Sequence, residues 1–399
     1  MTPARAPALL GLCLALAAGA AAAPAALGAD VMLVGIDRKF AYDEEGRRRA
    51  LAPGRDEILA FDLADPAAPR LLGALPLENS VVGPPTNIAV TPDGRLALVA
   101  SSVRSERDEA APGGWRTVPS DELAVVDLSS GAPRLLRTLQ VGRQPSGVAV
   151  HPNGRLALVA NREGRSVTVL RISGTEVTVA GTVPLGAPVA SVAITPDGRR
   201  ALAVKFNAHA VALLDIGADG QVSHAGRDLT VGLWPYTVAI SPDGRTALVT
   251  NTGSMAASDG NADTVSVIDL AADPPRTVDH VTVGDAPEGV VASPRGGLAA
   301  VSVLDGSYDA PAGAWYRRPA GRVVTLRLAE GRVSVAGSVT VGSFPEGIAF
   351  APDGSHVYVG NFASGTLSVL KVGPGGALAD TGRTIRLPGP PASLRIGSQ

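Results

Sequence analysis

Apolar positions along this chain recur in short runs of alternating or continuous Val, Ala, Leu and Ile, separated by turn residues, and the whole pattern repeats. One copy runs from Gln144 to Asn161 (QPSGVAVHPNGRLALVAN). Closely similar copies run from Pro235 to Asn251 (PYTVAISPDGRTALVTN) and from Pro345 to Asn361 (PEGIAFAPDGSHVYVGN), and looser ones begin at Pro85, Pro188 and Pro287. Each copy reads as a proline, a short apolar strand, a tight turn and a second apolar strand. Asp-Gly between two such runs is a strong hairpin signal, because Gly accepts positive φ and Asp bonds its own backbone. A third strand of alternating β-branched residues follows, as in Ser166 to Ile172, Thr264 to Leu270 and Thr366 to Val372. A weaker fourth strand ends near a Val-Gly or Leu-Gly pair. Four antiparallel strands per repeat make one blade of a β-propeller.

Six turn prolines (Pro92, Pro152, Pro196, Pro242, Pro294 and Pro352) mark six complete copies. The ends supply a seventh. Val31 to Ile36, Glu57 to Leu63 and Arg70 to Leu75 read as second, third and fourth strands, and Pro390 to Ile396 parallels the first strand at Pro84 to Val90. The C-terminal strand is therefore expected to complete the N-terminal blade and close a seven-bladed, all-β ring, leaving no open sheet edge. Residues 1–28 read as a secretory signal, with Arg5, an Ala- and Leu-rich run from Ala8 to Ala23 and a small-residue cleavage site at Ala26-Leu27-Gly28. Residues 29–399 then form one propeller domain, and a periplasmic or secreted location is expected.

The repeat signature, Val249-Thr250-Asn251 followed by Thr264 to Asp269 (TVSVID), resembles the YVTN β-propeller repeat family, within a wider group of seven-bladed propellers that includes lactonase-like proteins. The resemblance spans residues 30 to 396. It implies the fold, and it permits lactone hydrolysis; lactonase-like members are expected to place a His, Glu and Arg set in the channel, for which His209 is the one histidine available here. A shared fold does not by itself carry a function.

Composition narrows the options. The formal charge of −2 argues against nucleic acid. The single cysteine, Cys13, lies in the signal, so the mature chain has no disulfide, thiolate nucleophile or cysteine metal site. No later stretch is long and apolar enough to span a membrane. A monomer is expected.

Long insertions at Asp37 to Arg55, Ser102 to Ser120, Thr252 to Asp263 and Leu304 to Gly321 all fall on the face opposite the Pro-Asp-Gly turns, and long loops of this kind are commonly functional or disordered. Eleven of the fourteen aromatics fall there too: Phe40, Tyr42, Trp115, Phe206, Trp234, Tyr236, Tyr308, Trp315, Tyr316, Phe344 and Phe362. Arginines accompany them at Arg104, Arg107, Arg116, Arg317, Arg318 and Arg322. Trp115, Trp234, Tyr236, Trp315, Tyr316, Arg317 and Arg318 are the candidates for binding a protein partner or a small ligand; packing of the loops onto the ring is the alternative use of the same rings. Glu288 and Glu346 follow the blade-opening proline in adjacent blades. They are expected at the channel mouth, where two acids can share a proton, bind a cation or pair with arginine. With His209 they are the acid-base candidates if the protein is a hydrolase. Asp259, Asn261 and Asp263 have alternating oxygen donors, as in a calcium loop, but lack the distal glutamate; an Asx-rich turn is the other reading, and no other cofactor is implied. Three functions are consistent with this pattern: an exported binding or scaffold protein using the insertion face, a lactonase-like hydrolase, and an accessory protein of a periplasmic redox enzyme.

Overall fold

The alternating strands pair as the repeat predicts. In the computed structural model, which describes residues 30–397 except 81, 130, 131, 256 and 330, together with residue 1, seven four-stranded antiparallel sheets form a ring. The segment expected to be a signal, apart from Met1, lies outside the described residues, and so does Cys13. Among the described residues the only helical segments are three short 3-10 turns, and no helix is long and apolar enough to cross a membrane.

The innermost strands are Ile88–Val90, Pro145–Val150, Val189–Ile194, Pro235–Ile240, Pro287–Ala292, Pro345–Phe350 and Pro391–Ile396. The last of these pairs with Val31–Ile36, which pairs in turn with Glu57–Asp62 and Arg70–Pro76, so the two chain ends share one blade. The core lies between blades and is built from Val, Leu, Ile and Ala. One cluster joins Met32, Val34 and Ile36 to Tyr358, Val369 and Ile396 across the closure.

The repeated residues have structural tasks. The turn aspartates accept hydrogen bonds from their own loops: Asp93 Oδ1 takes the Arg95 amide and the Thr91 hydroxyl, and Asp243 Oδ1 takes the Arg245 amide and the Ser241 hydroxyl. These bonds hold both carboxyls below the usual range, against a burial effect that is the larger single influence at Asp93. The asparagine that ends a second strand is a clamp. Asn251 Nδ2 donates to Ser266 Oγ and Thr264 Oγ1, and Asn361 Nδ2 to Ser368 Oγ and Thr366 Oγ1. Its amide packs so tightly on the glycine closing the previous blade that a Cβ on Gly232 or Gly342 would approach within 2.6 Å. That contact explains the recurring Val-Gly pair.

Each innermost strand from Pro145, Val189, Pro235, Pro287 and Pro345 begins with the same register shift. Pro287 pairs with Val303 and Val290 with Val301, so Glu288 and Gly289 together face Ser302. A bulge of this kind re-aims the side chain of its extra residue. Here it turns the residue after the proline toward the ring axis.

Two of the four insertions have strand structure of their own. Residues 37–55 contain a hairpin, Phe40–Tyr42 with Arg48–Ala50. Residues 102–120 extend two blade strands, Leu96–Arg107 and Trp115–Asp127, into a long hairpin. The other two insertions are irregular. The short hairpin is rooted by a buried ion cluster: Lys39 pairs with Asp56 and lies 3.6 Å from Asp37, while its Nζ donates to the Asn79 carbonyl at 2.7 Å. The hairpin tip meets the 304–321 insertion, where Ala312 N and Arg317 Nη1 both donate to the Glu44 carbonyl.

Candidate functional site

The bulges place Tyr236, Glu288 and Glu346 on successive innermost strands, all aimed at the channel mouth on the insertion face. Their backbones are cross-linked blade to blade. Thr250 Oγ1 accepts the Thr237 amide and donates to the Glu288 carbonyl, both at 3.0 Å. Ser302 Oγ accepts the Gly289 amide at 2.9 Å and donates to the Glu346 carbonyl at 2.8 Å. Both carboxyls are enclosed, Glu288 at 4% exposure and Glu346 at 7%. Among the described residues Glu346 Oε2 is buried with no hydrogen-bond partner.

Burial pushes both acids well above the usual carboxylate range. For Glu288 the nearby Asp309 adds to the rise and Arg162 opposes it; for Glu346 the neighbouring Glu288 and Asp37 add to it. Burial and the neighbouring acids both favour the protonated form of the two carboxyls. Arg162 is the cation of the site. It follows the second-strand Asn161, donates from Nη1 to the Val82 carbonyl at 2.6 Å, and lies over the Phe206 ring at 4.8 Å. Its surroundings lower its pKa, chiefly by burial, while Tyr236 and Glu288 favour its charge. Tyr42, from the short hairpin, leans over the same space. Burial raises its hydroxyl, and the Arg48 charge opposes that rise. Burial also holds the Tyr236 hydroxyl well above its ordinary value. Arg48 is exposed and lies 5.3 Å from the Phe40 ring, at the rim.

Glu288 and Glu346 thus occupy equivalent positions on adjacent innermost strands. Arg162 and Arg48 were not among the expected site residues. Arg162 was nevertheless legible: the residue just after the second strand is Asp37, Ser102, Phe206, Thr252, Leu304 or Phe362 in the other blades, so one cation stands out in that ring position. Arg48 carries no such signal, because only the hairpin brings it over the channel.

His209 does not join the acids. Its backbone is left-handed, its Nδ1 accepts the Trp234 amide at 3.0 Å, and its ring lies edge-on to Trp234. Trp234 in turn packs on Phe206, which also touches Tyr236. A second cluster joins Phe40, Tyr42, Tyr308, Phe344 and Phe362. The two clusters include Tyr236 and Tyr42, the rings that stand beside the acids. Trp315 alone among the large rings is mostly exposed, at 75%, with Tyr316 edge-on beside it at 5.6 Å. Trp115 lies at the long hairpin, 6.0 Å from the Arg107 guanidinium. The loop arginines are largely engaged: Arg104 and Arg116 with Glu106, Arg322 with Asp305 at 2.8 Å, Arg317 with the Ala310 carbonyl and Arg318 with the Trp315 carbonyl.

Asp259 and Asp263 each accept a backbone amide. Asp259 Oδ1 accepts the Asn261 amide and Asp263 Oδ2 accepts the Ala286 amide. Among the described residues no group of three or more His, Cys, Asp or Glu side chains is arranged to hold a metal ion.

No family model matches the chain, and no curated protein matches it. Solved structures do. A 6-phosphogluconolactonase-like protein from Bacteroides fragilis superposes with a TM-score of 0.67 at 18% identity, covering 92% of this chain and 97% of that one. The periplasmic gluconolactonase of Pseudomonas aeruginosa gives 0.63 at 21%, covering 92% and 98%. The hydrazine synthase of Kuenenia stuttgartiensis gives 0.59 at 20%, covering 79% and 90%. At these identities the likeness concerns the seven-bladed fold.

Proposed function

We propose that the channel mouth is a small-molecule site and that the reaction its residues fit is hydrolysis of a small polar lactone in an exported protein. The observation that carries this reading is the enclosed Glu288–Glu346 pair beside Arg162 and Tyr236. A pair that shares one proton contains both an acid and a base. In such a reaction the ionised carboxylate takes a proton from water as the water oxygen bonds to the lactone carbonyl carbon. The Arg162 guanidinium faces the developing oxyanion, and such preorganised charge is a large source of rate. When the ring C–O bond breaks, the protonated carboxyl gives its proton to the leaving alkoxide. One water is consumed and the pair ends with one proton, as it began. The lactonases among the structural neighbours are consistent with this chemistry.

The test is base uptake at constant pH with glucono-δ-lactone and δ-valerolactone, corrected for spontaneous opening. Turnover that is lost in Glu346→Gln and Glu288→Gln supports the hydrolase. No rate above the spontaneous one with either lactone rejects it for this substrate class.

A partner-binding reading is favoured by one observation, the exposure of Trp315 beside Tyr316 and Arg318 on the insertion face. Co-purification with a partner that is lost in Trp315→Ala supports that use of the face.

A further inference from the structure

The opposite half of the channel has a different character. Beneath the acid pair, toward the Pro-Asp-Gly turns, lies a cavity of about 480 Å³. Its wall is apolar: Val148, Val192, Val238 and Val290 at successive blades, with Val150, Ile194 and Ile240 nearer the opening and the turn prolines around it. No acid lines it. The one charged side chain in the wall is Arg395.

Strand register shows how unusual that residue is. Arg395 pairs with Leu33 on the second strand of its blade. The equivalent pairs are Ala89 with Leu98, Ala149 with Leu158, Ala193 with Leu202, Ala239 with Leu248, Val291 with Ala300 and Ala349 with Tyr358. Six blades thus present a small aliphatic residue at this level and the seventh presents a guanidinium. The small side chains leave the lumen open, and the one long side chain enters it. Arg395 Nε donates to the Ile88 carbonyl at 3.0 Å. Among the described residues its terminal nitrogens have no protein partner, and it has no ion pair. Burial pushes its pKa down to about 10, with no carboxylate acting against that shift, so the group is still charged at neutrality. A half-buried cation with no counter-ion among the described residues, on an otherwise apolar wall, is costly unless a ligand supplies the charge.

We infer that this cavity is a second ligand site, for a small amphipathic monocarboxylate whose carboxylate pairs with the Arg395 guanidinium and whose hydrocarbon body lies on the valine and isoleucine wall. The volume is within the range of small-ligand pockets, which combine apolar walls with a few placed polar groups. An arginine fork matches a carboxylate bidentately, and this gives the ligand a fixed orientation with its tail along the channel axis. The site is separate from the acid pair: its only contribution from that level is Thr86, which occupies the ring position of Glu288 and Glu346 in another blade.

Titration calorimetry on the full chain at pH 7 tests this with octanoate, 1-octanol and acetate as probes. The expected result is one octanoate per chain, binding at least tenfold tighter than either octanol or acetate. Arg395→Gln should weaken octanoate at least tenfold and leave octanol unchanged. Ala239→Phe, which fills the lumen and keeps the arginine, should abolish binding and keeps the test decisive if the Arg395 variant does not fold. Absence of octanoate binding at millimolar concentration overturns the proposal. So does binding that persists in Ala239→Phe, or binding lost in Arg162→Ala, which would place the ligand at the other mouth.

Discussion

The Ser302 hydroxyl donates to the Glu346 carbonyl of the next blade at 2.8 Å, while accepting the Gly289 amide of its own blade. One small side chain thereby ties the two acid-bearing bulges into a single rigid unit. Ser302→Ala leaves a buried amide and a buried carbonyl without their partner. Unsatisfied buried groups cost about 1–3 kcal/mol each. The variant should therefore lose about 2 kcal/mol or more by denaturant unfolding, and lactone turnover should fall with it. An unchanged unfolding midpoint would show that the hydroxyl is not holding the bulges.

The acid pair gives stability a definite pH dependence. Both folded carboxyls are raised above their unfolded values. Their contribution is complete below the unfolded glutamate pKa, about 4.3, and is lost as pH rises toward the folded values, because the unfolded chain gives up protons that the folded chain keeps. Asp263 and Asp285, each pushed up to about 6 chiefly by burial, act in the same direction over the window between about pH 4 and 6. Glu346→Gln removes its share of the penalty. Melting curves should show the variant gaining on the parent between pH 5 and pH 8; a parallel pH dependence would mean that the pair ionises normally.

Lys39 has the opposite role, holding two acids at the root of the short hairpin. Lys39→Met leaves Asp37 and Asp56 facing each other with their cation removed, and breaking a buried pair costs about 3–5 kcal/mol. Chemical unfolding should register a loss of that size, with faster proteolysis within residues 37–55.

Closure is testable by removal of the last strand. Deleting residues 390–399 strips the partner from Val31–Ile36 and opens an apolar edge. Gel filtration should show aggregation; a monomer melting at the parent temperature would mean that the ring does not depend on this strand.

The tryptophans separate packing from display. Trp234→Ala removes a ring packed on Phe206 and His209 and should cost about 2–4 kcal/mol. Trp315→Ala removes a mostly exposed ring, and its effect on stability should stay within about 0.5 kcal/mol. If the two losses are equal, the clustering has been misread.

The repeat alone determined the seven blades, the closure through Pro391–Ile396 and the channel-facing position of Glu288 and Glu346. Each is a local matter: strand alternation, Asp-Gly turns and a bulge after each proline act within one blade, and the ring multiplies them. The sequence also allowed Arg162 and Arg395 to be found by reading each one's ring position around all seven blades, since no other blade has a basic residue there. Only the tertiary structure decided what the insertions do. Residues 37–55 could not be read as the hairpin that brings Tyr42 and Arg48 over the channel, because its packing partners Phe344, Phe362 and Tyr308 lie some 300 residues away. The enclosure of the acid pair follows from that long-range packing, and with it the displaced pKa values. Burial is a property of everything that surrounds a residue, and a periodic pattern specifies only what lies beside it.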